Sequence, residues 1–132
     1  MTKLALVLVL LIAAFLGGYL PEHSKVNRMV DELRETKRQS SLARLRDLSG
    51  LSYIQASQKN YGLASKTAAS YFGLVQDVVN QTTDATARKP YEELLSMREK
   101  ISGGLAKGDE QVMNDLHPLF VRTQQVAAAT AP

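Results

Sequence analysis

The chain has 132 residues, a net charge of +3 and neither cysteine nor tryptophan. Acids and bases are mixed along it, which excludes the one-sided basic face a nucleic-acid partner requires, and the missing cysteine excludes disulfides and thiolate metal sites. No stretch alternates apolar and polar residues over strand length, so the expected class is all-α, with room for one small domain after the first forty residues.

Residues 4–20 contain no charged side chain. At about 1.5 Å per residue they span roughly 25 Å, close to a hydrocarbon core of about 30 Å. Lys3 and Lys25 can snorkel at the two ends, Tyr19 falls where interfacial aromatics collect, and Pro21 ends or kinks the span. Residues 1–21 are therefore expected to be a single-pass transmembrane anchor, with the lipid bilayer as first partner and the cell membrane as location. A cleaved signal peptide is the rival. It shares the basic start and apolar core, but the small-x-small cleavage pair is missing: cutting after Gly18 places Leu16 in the critical position, and cutting after Leu16 leaves a leucine at the cut. Orientation stays open. Lys25, Arg28, Arg34, Lys37 and Arg38 follow the span and favour the cytoplasm for the larger part. The short basic start, and Glu22 where a basic stop-transfer cluster would stand, favour the outside, which is the side adopted here.

Residues 22–41 read as a charged helical stalk. Val26, Met29, Val30 and Leu33 make an apolar stripe of under two turns, shorter than the three or four heptads of a sustained coiled coil. Opposite charges stand at helical spacing in Arg28 and Glu32, Asp31 and Arg34, and Glu35 and Arg38. Four antiparallel helices are expected to follow within residues 42–127, as a closed bundle or two stacked hairpins, with residues 128–132 a disordered tail.

The first, 42–58, carries Leu42, Leu45, Leu48, Leu51 and Ile54 at every third position. That row winds around the helix, which is expected to be the most enclosed of the domain, with Gly50 permitting close approach of a neighbour. Lys59-Asn60-Tyr61-Gly62 is a joint. The second helix, 62–81, has a clear face in Tyr61, Ala64, Ala68, Phe72, Val75 and Val79, widened by Leu63, Tyr71, Leu74 and Val78. Asn80 to Lys89 reads as a loop. Pro90 opens the third helix, 90–106, with Glu92 and Glu93 in its acid-favouring first turn. Gly108 supplies a left-handed stop and Asp109 a cap for the fourth helix, 109–126, which Pro118 should bend.

Catalytic chemistry finds no foothold. His23 and His117 lie on different elements without ligand partners at metal spacing. Glu92 and Glu93 are adjacent, so on a helix they diverge by about 100°. The serines have no accompanying base. The expectation is no enzyme, no metal and no cofactor.

Gln58-Lys-Asn-Tyr-Gly-Leu-Ala64, followed by Phe72, resembles the middle of a tetratricopeptide repeat, where an aromatic turn leads to an alanine and a large residue on the second helix. No second copy occurs at a 34-residue period, so the resemblance implies a helical hairpin and not an array. Ala43-Arg-Leu-Arg-Asp-Leu48, Lys59-Asn-Tyr-Gly-Leu-Ala64 and Gly104-Leu-Ala-Lys-Gly-Asp109 together resemble small bacterial membrane-anchored helical-domain proteins of unknown function. That resemblance implies an anchor, a stalk and a helical domain, and no site residues.

The functional expectation is a membrane-tethered, non-enzymatic helical interaction or scaffold module. Its contact surface would be Leu42, Leu45, Leu48 and Leu51, and its partner a second copy or another protein. The alternative is a ligand-sensing bundle that admits a small molecule between helices near Tyr61, Tyr71 and Phe72.

Overall fold

The computed structural model describes residues 2–130, with side chains described from 25 to 130. The elements are α1 (Thr2–Ser57), α2 (Tyr61–Gln81), α3 (Ala85–Leu95), α4 (Arg98–Lys107), one 3-10 turn (Glu110–Val112) and α5 (Met113–Ala129). The protein is all-helical, with no strand among the described residues. It divides into two compact units, Met1–Arg38 and Gln39–Pro132. The expected anchor at 4–20 lies outside the residues whose side chains are described. Among the described residues no helix is long and apolar enough to cross a membrane.

In the first unit, two of the expected ion pairs form along α1. Arg38 grips Glu35 through two hydrogen bonds of 3.0 and 2.8 Å, and Arg34 stands 4.0 Å from Asp31.

The second unit is a helical bundle whose centre is α2. Its buried residues are Ala64, Thr67, Ala68, Tyr71, Phe72 and Val75. Partners line its buried face. Ser52 and Gln55 of α1 bond to Ala64 and Thr67, Thr123 of α5 bonds to Tyr71, and α3 and α4 pack alongside. The end of α1 buries as many side chains as the longer α2, namely Leu42, Leu45, Ser49, Ser52, Gln55 and Ala56, so the two helices share the enclosure that the leucine row suggested for α1. Most large apolar residues of α2 share one face, though Leu63, expected to widen it, is 46% exposed, whereas those of α1 are spread around its circumference.

The α1–α2 joint follows from backbone accounting. Asn60 N–H donates to the Gln55 carbonyl and Lys59 N–H to that of Ala56, both at 2.9 Å, so the last carbonyls of α1 find donors. That geometry requires a left-handed residue, and Lys59 takes it with φ 60. Its side chain reaches Glu110 Oε1 at 2.6 Å, tying the joint to the 3-10 turn. Hydrogen bonding and charge from Glu110 hold the Lys59 ammonium above its ordinary pKa. Asn60 caps α2 by accepting from the Leu63 N–H.

The expected loop over 80–89 shrinks to residues 82–84. The Thr82 N–H closes α2, and Asp84 caps α3 by accepting from the Thr86 N–H at 3.0 Å. Pro90 consequently lies inside α3 instead of opening it, and forgoes a bond to the Thr86 carbonyl. Glu92 is then mid-helix, where it pairs with Arg88 at 2.8 Å. The expected single helix over 90–106 is broken at Ser96 and Met97. There the Ser96 hydroxyl donates to the Glu93 carbonyl at 2.6 Å and the Met97 N–H donates to the Leu94 carbonyl, three residues back, at 3.2 Å. Gly108 takes the left-handed stop, with φ 64, and Asp109 caps the following turn through the Gln111 N–H. Gly104 is needed on different grounds: a Cβ there would stand 2.8 Å from the Val112 side chain. Helix α5 runs through Pro118 to Ala129, and Ala127 is buried, so the helix persists past the expected end at 126.

Candidate interaction face

Between residues 42 and 56, α1 buries Leu42, Leu45, Ser49, Ser52 and Ala56, a 3-4-3-4 spacing that defines one face, with Gln55 beside it. Three of these six are polar, and each is satisfied. The Ser49 hydroxyl donates to the Arg46 carbonyl at 2.9 Å, the Ser52 hydroxyl to the Ala64 carbonyl at 3.2 Å, and Gln55 Oε1 accepts from the Thr67 hydroxyl at 2.7 Å. Small side chains on both helices, Ser52 and Ala56 on one and Ala64 and Ala68 on the other, leave space for close approach. A leucine at 49 or 52 would overpack it.

The aliphatic residues of the same segment point elsewhere. Leu51 is 46% exposed and Ile54 51% exposed. The expected surface of Leu42, Leu45, Leu48 and Leu51 is therefore divided. Leu42 and Leu45 belong to the core, Leu48 is half-buried against it, and Leu51 alone of the four is exposed.

Leu51 and Ile54 border an open groove shared with α5, whose floor includes Gly50 and Phe120. A Cβ on Gly50 would lie 3.4 Å from the Phe120 ring, so the glycine lets that ring sit against the α1 backbone. Tyr53 stacks on Phe120 with ring centroids 6.2 Å apart and touches the exposed His117 ring at 5.9 Å. At one rim Arg46 Nε donates to Gln124 Oε1 at 2.8 Å, fixing α1 to α5, and Asp47 adds the opposite charge. The face offers apolar contact with a charged border and no convergent acid, base or nucleophile. Sequence reasoning missed Ile54 and Phe120 as surface contributors. The available signal was Ser49, Ser52 and Ala56 at core spacing.

The alternative slot is differently arranged. Tyr71 and Phe72 are wholly buried and pack edge to face, with centroids 5.1 Å apart at 83°. The Thr123 hydroxyl donates to the Leu119 carbonyl at 2.7 Å, so the Tyr71 hydroxyl is the donor in its 2.6 Å bond to Thr123. Burial pushes the Tyr71 phenol up to about 12. Tyr61 is half-buried and lies beside Gly108, at the turn after α4. The two buried rings spend their faces on each other and on the core, and the third does service at a turn.

Elsewhere a polar groove runs between α4 and the start of α5, crossed at 2.7 Å by the ion pair of Lys100 and Asp115. Among the described residues no group of three histidine, aspartate or glutamate side chains is placed to hold a metal ion. His23 lies outside the residues whose side chains are described. Comparison with protein-family models, curated proteins and solved structures returns no match.

Proposed function

We propose that the protein is a membrane-tethered, non-enzymatic interaction module. Residues 4–20 would act as the anchor, residues 22–41 as the stalk, and the α1–α5 face as the docking surface for a protein partner. One observation carries the docking assignment: α1 turns serines and a glutamine inward, each hydrogen-bonded, and leaves Leu51 and Ile54 in solvent. A helix that needed those aliphatics for its own core would bury them, since each buried side chain contributes about 1.5–3 kcal/mol. Left exposed beside Phe120, they form the apolar centre and charged rim typical of a contact surface. The tether rests on the uninterrupted apolar run at 4–20. The ligand-sensing alternative loses ground because Tyr71 and Phe72 are enclosed and their polar group is satisfied.

The test places a photoreactive amino acid at position 54 of the full chain in its host cells, with position 70 as control, since Ser70 is also exposed but lies on α2. The protein should stay in the membrane pellet through high-salt and alkaline washing. Illumination should give one discrete protein adduct from position 54 and none from position 70. Release by the washes would reject the tether. Equal labelling from both positions, or none from position 54, would reject the docking face.

A further inference from the structure

The stalk carries its own unpartnered row. Val26 is 56% exposed, Met29 69% and Leu33 70%, all within the first unit. Their 3-4 spacing is that of heptad positions a, d and a. In this register the ion pairs formed within the chain sit on the outer positions: Asp31 and Arg34 at f and b, Glu35 and Arg38 at c and f. Glu32 falls at g and Lys37 at e, the positions that flank the seam, and neither side chain has an ion-pair partner among the described residues. In a parallel pair of helices, g of one chain faces e of the next heptad on the other. Glu32 then meets Lys37 of the second chain, and by symmetry Lys37 meets Glu32.

We infer that the occupant of this row is a second copy of the chain, paired in parallel through Val26, Met29 and Leu33 with two Glu32–Lys37 bridges across the seam. Charge complementarity selects the occupant. Asp31 with Arg34 and Glu35 with Arg38 pair where they cannot cross a seam, whereas Glu32 and Lys37 are left for each other where they can. The parallel sense rests on the tether proposed above, because two chains in one bilayer enter their stalks from the same side. Tethering also raises the local concentration, which lets a seam this short suffice. The row ends at Thr36 and Ser40, the next d and a positions, where the apolar contact stops.

The chain contains no cysteine, so a single introduced thiol reports on one position at a time. The full chain in its membrane should cross-link readily through Val26→Cys, Met29→Cys and Leu33→Cys, because equivalent residues meet in a parallel pair. Asn27→Cys, Asp31→Cys and Arg34→Cys, on the outer face, should cross-link several-fold less. With Leu33→Cys as reporter, Glu32→Lys or Lys37→Glu alone should cut the yield several-fold, and the two together should restore it. Equal yields at all six positions, cross-linking confined to one seam position, or charge variants that leave the yield unchanged would overturn the inference. The washing test reports on the tether alone and the thiol pattern on the seam alone, so either can fail without the other.

Discussion

Replacing Phe72 with alanine should lower the stability of the helical domain by about 3–5 kcal/mol, the usual cost of removing a buried aromatic side chain. Phe72 is wholly buried at the centre of α2, and its ring packs edge to face with Tyr71, centroids 5.1 Å apart. Val75 and Ala68 flank it on the same face, both buried. A small domain has only about 5–15 kcal/mol in total, so the variant should sit near the limit of folding. Each kcal/mol lowers the midpoint of a domain this size by about 4–8 °C, so thermal unfolding followed by circular dichroism should show a drop of about 12 °C or more. A midpoint unchanged within error would place Phe72 at the surface and dissolve the core described here.

The second large effect is alkaline. Burial raises the Tyr71 phenol to about 12 from an ordinary value of 10.0. The fold favours the neutral phenol, and the unfolded chain loses its proton first. Between those two values the unfolded state binds fewer protons than the native state, so stability falls as pH rises. The contribution is present in full below about pH 10 and is lost as pH climbs through about 12. At about 1.36 kcal/mol per pH unit, the loss approaches 3 kcal/mol. Urea unfolding at about pH 9 and again at about pH 11.5 should show this decline in the parent and a clearly smaller one in Tyr71→Phe. That variant should itself cost only about 1 kcal/mol at neutral pH, because Thr123 keeps its bond to the Leu119 carbonyl. Equal declines in both proteins would mean that Tyr71 is not the group responsible.

The features legible from sequence were those decided locally. The buried face of α2 follows from large residues at helical spacing, and Ala64, Ala68, Phe72 and Val75 are where periodicity puts them. Gly108 and Asp109 stop one helix and cap the next because each does so with its own backbone or carboxylate. What was hidden depended on a distant neighbour. The leucine row of α1 suggested a face from hydrophobicity alone, but the face that packs is chosen by how closely α2 approaches. Close approach selects Ser52 and Ala56, and Ser52 becomes tolerable inside only because the Ala64 carbonyl of another helix accepts its proton. Similarly, Pro90 suggested a helix start, whereas Asp84 captures the Thr86 N–H and starts the helix five residues earlier than the proline. At the α1–α2 joint, Asn60 and Gly62 signalled a turn, yet the left-handed residue is Lys59, placed there by the register of two backbone bonds.

The central claim is that α1 buries Ser49, Ser52 and Gln55 and offers Leu51 and Ile54 to a partner. Chemical unfolding of two variants of the full chain tests it most directly: Leu51→Lys combined with Ile54→Lys, and Leu45→Lys, whose parent side chain is 1% exposed. The double variant should unfold within about 0.5 kcal/mol per site of the parent, as surface substitutions do, while Leu45→Lys should lose its cooperative transition. If the double variant is destabilised as severely as Leu45→Lys, Leu51 and Ile54 belong to the core, and the outward face does not exist.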